Sequence, residues 1–245
     1  ISALGDAILA LDVPSGLDAQ TGSIKRGAVS ALATLTFLGL KPGLFEGLGP
    51  RYAGKVFCED FGQSSALKEV CTPLAWRYDP VKLASGIHRT DPMTHKGCRG
   101  GVLVVGGDLP TLGAAQLTAR ASLKAHAGKV WWSVPTTYAP QASLLRPELM
   151  VLAINEATDL EPVLQKAHVV AIGPGLTQRS HQALLLQHIL TISTPMVLDA
   201  DALNLIALNE DCRRVYRESI ERYPQRLLVM TPHPLEARRL WDAWC

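Results

Sequence analysis

No apolar run in this chain approaches the ~20 residues that a membrane-spanning helix needs. No basic segment leads into an apolar one, as it would in a secretory signal. Charge is nearly balanced, 24 Lys and Arg against 22 Asp and Glu, for a formal net charge of +2. The basic residues are scattered rather than striped, so neither a nucleic-acid surface nor a membrane surface is indicated, and the expected partner is a small molecule. The five cysteines, Cys58, Cys71, Cys98, Cys212 and Cys245, lie far apart, without a C-x-x-C pair or a histidine at metal-ligand spacing. This argues against a disulfide framework or a zinc site and for reduced thiols in a cytoplasmic protein. Fixed-length repeats and homopolymer tracts are missing as well.

The 245 residues are 47% apolar and 19% charged, enough to bury a core in one large domain or two modest ones. The chain begins at Ile1 rather than Met, and LEARRLWDAWC stops within a helical pattern, so both ends read as cut.

A first block is expected over residues 1–62. AILALDVP (Ala7–Pro14) is a strand-length apolar run closed by Pro and Gly, as a buried parallel strand would be. ALATLTFLGL (Ala31–Leu40) and GKVFCED (Gly54–Asp60) follow as two further strands, the last part of a sheet. Residues 63–94, punctuated by Pro73, Pro80 and Pro92, hold no period and read as a linker or lead-in. Over residues 95–245 strand and helix patterns alternate. GVLVVGG, KVWWSVP, HVVAIGPG, PMVLDADALN and RLLVMTPHP supply strands, and LGAAQLTARASLKAHAG (Leu112–Gly128) is a helix expected to end on a glycine cap. This beat predicts an α/β fold, a mainly parallel sheet with helices on both faces. Ligands bind such sheets beyond the carboxyl ends of the strands, and each sharp polar motif here falls at such an end.

LDVPSGLD places Asp12 and Ser15 at a strand end, Asp12 to hold a ligand hydroxyl or amide and Ser15 to offer oxygens to a cation or phosphate. A plain turn with Asp12 satisfied by backbone N–H groups is the structural alternative. VGGDLPTLGAA (Val105–Ala115) is a strand, glycine turn and helix start whose N–H groups suit a phosphate or carbonyl. It is neither a G-x-G-x-x-G nor a P-loop with its lysine, and a tight turn explains it equally. AIGPGLT repeats the device, with Gly173 and Gly175 allowing close backbone approach to a ligand. LDADALN gathers Asp199, Asp201 and Asn204, which suit Mg²⁺ waters or ribose hydroxyls, with Asp201 also expected to cap the next helix. In TPHP, His233 between two prolines has little conformational freedom, which suits ligand positioning. His181 and His188 carry a helix context that suggests surface positions.

Taken in order, these segments resemble the bifunctional NAD(P)H-hydrate repair enzyme family in its fused bacterial form. ALDVPSGLDAQTG, TLTFLGLKPGL and YAGKV resemble the closing third of the epimerase domain. HKGCRGGVLVVGGDLPTLGAA, RPELMV, AIGPGL, LDADALN and TPHP resemble the dehydratase domain. The resemblance implies a ribokinase-like sheet preceded by the C-terminal part of a Rossmann-like epimerase domain. It implies epimerisation of R and S NAD(P)H-hydrates and ADP-dependent dehydration of the S form, with AMP and phosphate released. Mg²⁺ with ADP and a K⁺ ion in the epimerase are the implied cofactors, and a homo-oligomer is the expected assembly. Carried over by motif, Asp12 contacts the hydrate in the epimerase and Ser15 helps ligate K⁺, while Ala114, Gly175 and His233 line the dehydratase pocket. Gly173, Asp199, Asp201 and Asn204 lie nearby without a specific family role. The family's G-G-x-N-x-G-D-G segment would precede Ile1. Its Lys-Gly nucleotide segment and its G-x-G-D loop, with the expected catalytic base, would follow Cys245. No catalytic residue is therefore assigned, and this stretch alone is expected to be inactive. Leu235 replaces the usual glycine of T-P-H-P-G-E, which would stiffen or crowd that turn. The competing readings are a ribokinase-like vitamin or sugar kinase and a non-catalytic ligand-binding fragment.

Overall fold

The computed structural model describes residues 7–78 and 96–245. Residues 1–6 and the linker prolines Pro80 and Pro92 lie outside the described residues. Contacts divide the chain into two compact units, Ile1–Arg89 and Thr90–Cys245.

The first unit carries a parallel sheet of β1 (Leu9–Leu11), β2 (Ala33–Phe37) and β3 (Lys55–Glu59), hydrogen-bonded in that order. Among the described residues two short helices accompany it, α1 (Gly49–Tyr52) and α2 (Ser64–Val70). Leu17, Leu44 and Ala53 form a small core with Val13, Ile24 and Phe45 around it. β2 buries Thr34 and Thr36, and the Thr34 hydroxyl donates to the Ala53 carbonyl at 2.6 Å, which lets a polar side chain sit inside. The buried strand expected over Ala7–Pro14 is shorter and one-sided: Leu9 and Leu11 are 62% and 64% exposed, because no described element covers that face. α2 falls in the stretch read as linker and buries none of its residues, so packing contributes little to holding it.

The second unit alternates strand and helix: β4 (Gly101–Val105), α3 (Leu112–Lys124), β5 (Lys129–Pro135), α4 (Ala139–Leu145), β6 (Met150–Ile154), α5 (Glu161–Leu164), β7 (Val169–Ile172), α6 (Ser180–Leu190), β8 (Met196–Leu198), α7 (Ala200–Leu208), α8 (Glu210–Arg222), β9 (Leu228–Met230) and α9 (Pro234–Trp244). The six strands are all parallel, in the order β6-β5-β4-β7-β8-β9. Successive strand residues serve opposite faces. Leu103 and Val105 of β4, with Val170, Ile172, Met196 and Leu198, pack against Leu186, Ile189, Leu203, Ile206 and Leu240 of α6, α7 and α9. Val104, Val130, Trp132 and Val134 face the other way, onto Ala115 and Ala119 of α3 and Ala142 of α4. Both faces are thus covered, which is why these strands read as unbroken apolar runs. Among the described residues no helix is long and apolar enough to cross a membrane.

The end of α3 departs from expectation. The helix stops at Lys124, and His126, not a glycine, takes the left-handed conformation (φ 68°). The His126 N–H donates to the Leu123 carbonyl at 2.9 Å and the Ala127 N–H to that of Ser122 at 3.1 Å, a Schellman closure. Gly128 is needed for space instead: a Cβ there would lie 1.8 Å from the Lys96 carbonyl oxygen.

Candidate functional site

Chain direction along the sheet reverses between β4 and β7, since β5 and β6 lie to one side of β4 and β8 and β9 beyond β7. Crevices for ligands open at such switch points, beyond the strands' carboxyl ends. Here the turn after β4 meets the turn after β7. The Gly107 and Asp108 N–H groups both donate to the Gly175 carbonyl, at 2.9 and 2.7 Å. Gly175 (φ 66°) could not carry a side chain, as its Cβ would stand 2.2 Å from the Thr111 carbonyl oxygen, and that of Gly173 (φ 125°) would stand 1.8 Å from the Asp199 carbonyl oxygen. These glycines permit close approach of protein backbone. Ala114, half-buried in the first turn of α3, donates its N–H to the Thr111 carbonyl at 3.0 Å.

Asp108 is the hub of this junction, and the motif reading missed it although it stands in the quoted GGDLP stretch. It is buried, and its Oδ1 accepts the Leu109 N–H at 2.8 Å. Its Oδ2 accepts Arg179 Nη1–H at 2.9 Å and the Thr177 hydroxyl at 3.3 Å, with His181 Nε2 4.0 Å away. A buried carboxylate is tolerable only when paired in this way. An aspartate directly after a Gly-Gly strand end was the available signal.

Asp201 does not cap α7. Asp199 holds the N-cap position, without a side-chain bond to the helix. The Asp201 carboxylate reaches back to the β7 turn, accepting the Thr177 N–H at 3.0 Å and Gln178 Nε2–H at 3.1 Å. Asp199 Oδ1 accepts the Thr231 hydroxyl at 2.7 Å, linking the tips of β8 and β9. Asn204 is buried, and its Oδ1 accepts Arg239 Nη1–H at 2.7 Å, tying α7 to α9. Each of the three thus gives at least one side-chain oxygen to a protein donor. Among the described residues no group of three or more His, Cys, Asp or Glu side chains could hold a metal ion.

His233 caps α9. Its Nδ1 accepts the Leu235 N–H at 3.1 Å, its own N–H donates to Glu236 Oε2 at 2.9 Å, and its Nε2 lies 3.1 Å from Oε1 of that buried carboxylate. An acceptor at Nδ1 leaves the proton on Nε2, facing Glu236. Leu235 is half exposed, at 51%, inside the first helical turn, so it does not crowd the turn. Gly175, Asp199, Thr231 and His233 thus follow one another along the tips of β7, β8 and β9. A cavity of about 570 Å³ opens to one side, at the tips of β5 and β6, lined by Thr136, Ile154, Glu156, His181, Gln182 and Leu185 among others, and not by Ala114, Gly175 or His233. His181 is exposed, as its helix context suggests, and lines this cavity, while His188 is half-buried with its Nε2 2.9 Å from Glu161 Oε1.

The first unit has its own polar cluster. Asp12 sits in the left-handed region (φ 65°) after β1. Its Oδ1 accepts Lys41 Nζ–H at 2.6 Å, the Thr36 hydroxyl at 3.0 Å and the Phe37 N–H at 3.3 Å. The Lys41 bond holds this carboxyl below its ordinary value; burial, the next-largest effect, opposes it, and the Phe37 and Thr36 bonds add smaller lowering effects. Ser15 is exposed beside it, and its carbonyl accepts the Val29 N–H at 2.9 Å. Lys41 escaped the motif reading; its position before Pro42 in TFLGLKPGL gave no hint of the partner in β1's tip.

Two family models match the chain. One described as NAD(P)H-hydrate dehydratase covers residues 102–245, and one described as YjeF-related protein N-terminus covers residues 1–43. The bifunctional NAD(P)H-hydrate repair enzyme of Coxiella burnetii is 36% identical over 253 residues, spanning 100% of this chain and 48% of that protein. That of Escherichia coli is 39% identical over 235 residues, spanning 95% of this chain and 42% of its own length. The chain thus spans about half the length of the curated relatives it matches. Among solved structures, a hypothetical protein from Streptococcus mutans superposes with a TM-score of 0.57 at 25% identity, over 66% of this chain and 56% of that one. A ribokinase-like superfamily protein from Enterococcus faecalis superposes with a TM-score of 0.56 at 22% identity, over 69% of this chain and 59% of that one, which speaks to the fold alone.

Proposed function

This chain belongs to the NAD(P)H-hydrate dehydratase family, and from that membership we propose that it is part of a bifunctional enzyme that repairs hydrated nicotinamide cofactors. Its second unit, a ribokinase-like sheet, takes part in dehydrating S-NAD(P)H-hydrate. A phosphoryl group passes from ADP to the hydrate's ring hydroxyl: the hydroxyl oxygen bonds to phosphorus, the bond to AMP breaks, and the hydroxyl proton goes to a base. Phosphate then leaves with the C–O bond electrons, a proton is lost from the neighbouring carbon, and the reduced ring is restored. The gain lies in replacing a poor leaving group by a good one, and positioning with charge stabilisation carries the rate. Ala114, Gly175 and His233 line the hydrate site in this reading. Mg²⁺ accompanies ADP, with Asp199, Asp201 and Asn204 as nearby candidates. The first unit belongs to the epimerase, with Asp12 contacting the hydrate and Ser15 contributing to a K⁺ site. A homo-oligomer is part of the same reading and is tested by light scattering.

The observation that carries the proposal is the placement of the polar turns: those after β4, β7, β8 and β9 are linked tip to tip, Gly175 to Asp108 and Asp199 to Thr231, across the switch point of a ribokinase-like sheet. Full-length protein supplied with S-hydrate and ADP is expected to release phosphate and reduced cofactor in equal amounts. Accumulation of a stable phosphate ester, with no reduced cofactor formed, would instead identify a small-molecule kinase.

A further inference from the structure

Glu236 does more than close the cap of α9. It keeps only 6% of its surface exposed. Asp108, also buried, has Arg179 as its cation, but among the described residues no lysine or arginine pairs with Glu236. Both of its partners belong to His233: Oε2 accepts the backbone N–H, and Oε1 stands 3.1 Å from the ring Nε2. A capping box needs only the first of these bonds. The second ties a buried anion to a ring whose side chain is 56% exposed. The far side of the ring is fixed as well. Pro234, first in the helix, has no N–H to offer, so the first free donor is that of Leu235, and His233 Nδ1 accepts it at 3.1 Å. An acceptor at one ring nitrogen and a donor at the other define a single tautomer, with the proton on Nε2. Neither nitrogen is left over for a ligand. What the exposed ring presents is its face and its carbon edge.

We propose that Glu236 is a positioning residue that locks His233 into this tautomer and orientation, so that His233 meets its ligand through the ring face and takes no proton from it. The lone pair that a base would need is the one already given to the Leu235 N–H. Fixing both nitrogens to the start of a helix, between Pro232 and Pro234, removes ring rotation that binding would otherwise have to freeze. That the ligand is the hydrate rests on the proposed repair function; the lock itself rests on the two ring contacts. Glu236→Gln separates lock from cap, because an amide has one oxygen where two are in use. Whichever way the amide turns, its NH₂ group meets either the His233 backbone N–H or the protonated Nε2.

Nitrogen–proton correlation spectra of the full-length protein labelled with ¹⁵N at its histidines read the tautomer directly, at about pH 8, above the ordinary histidine range. The spectrum of His233→Asn identifies the signal by its loss. A bare Nδ1 and a protonated Nε2 are expected in the parent, and a mixture of the two tautomers in Glu236→Gln. With S-hydrate as substrate, Glu236→Gln is expected to raise KM about tenfold and to leave kcat within about twofold. His233→Asn is expected to lower kcat by less than about a hundredfold, the least that losing a general base costs. A parent ring protonated on Nδ1, or a tautomer unmoved in Glu236→Gln, would overturn the lock. A kcat lowered about a hundredfold or more in His233→Asn would make the ring a base and overturn its contact role. Should Glu236→Gln fail to fold, the parent spectrum decides the lock alone. A full-length parent that turns over no S-hydrate sinks the repair reading, and the lock then stands or falls on the spectra.

Discussion

Asp108, His233 and Asp12 hold local geometry through side-chain bonds whose removal has a definite sign. Asp108→Ala strips the Leu109 N–H and the Thr177 hydroxyl of their acceptor, while the half-exposed Arg179 can return to water. A loss of about 2 kcal/mol in urea unfolding is expected. His233 has a capping role and a proposed ligand role, and substitutions separate them. His233→Asn keeps an acceptor for the first turn of α9 and is expected to leave stability within about 0.5 kcal/mol, whereas His233→Ala loses about 1 kcal/mol. Both are expected to raise the KM for S-hydrate; an unchanged KM in the asparagine variant would leave His233 a cap only. Asp12 titrates below its ordinary value chiefly because of Lys41. A carboxyl with a lowered folded pKa adds stability above its unfolded value, 3.8, and that stability is lost as pH falls through the folded one. Lys41→Met is therefore expected to move the Asp12 titration, followed by carboxyl-carbon NMR, up towards 3.8 and to weaken the first unit's stability loss below pH 4. An unmoved titration would show that Thr36 and the Phe37 N–H suffice.

Among the elements, the α3–β5 connection gives the sharpest contrast between neighbouring positions. His126 occupies a left-handed site that glycine prefers, so His126→Gly is expected to stabilise the second unit by about 0.5–1 kcal/mol. Gly128→Ala forces a methyl group onto the Lys96 carbonyl and is expected to cost about 2 kcal/mol or more. Thermal unfolding of both variants checks the pair. The sequence showed a glycine near this helix end, but not that the glycine serves packing while histidine turns the chain, since that depends on residues about thirty positions upstream. The central strands were legible because both their faces are buried, which writes apolar runs into β4, β5 and β7. β6, at the sheet edge, and α8 left weaker marks. α8 buries only Cys212, Tyr216 and Ser219 along a charged helix, a stripe too thin to stand out. The polar turns were located correctly at strand ends, but the use of their carboxylates was not: whether Asp201 caps a helix or clamps Thr177 depends on a turn 24 residues away.

At the scale of the whole molecule, two units carry separate polar clusters, one around Asp12 and Lys41, the other along the tips of β4, β7, β8 and β9. In the second, hydrogen bonds pass from tip to tip, so a ligand touching one turn would order its neighbours. The proposed repair function depends on this coupling, because a hydrate must be positioned against its phosphoryl donor to within the tolerance of in-line transfer. Amide hydrogen exchange of the full-length protein with and without bound S-hydrate measures it directly. Protection is predicted in the turns at 105–115, 171–177 and 231–236 together. Protection elsewhere, with these three turns exchanging as in the free protein, would contradict the account.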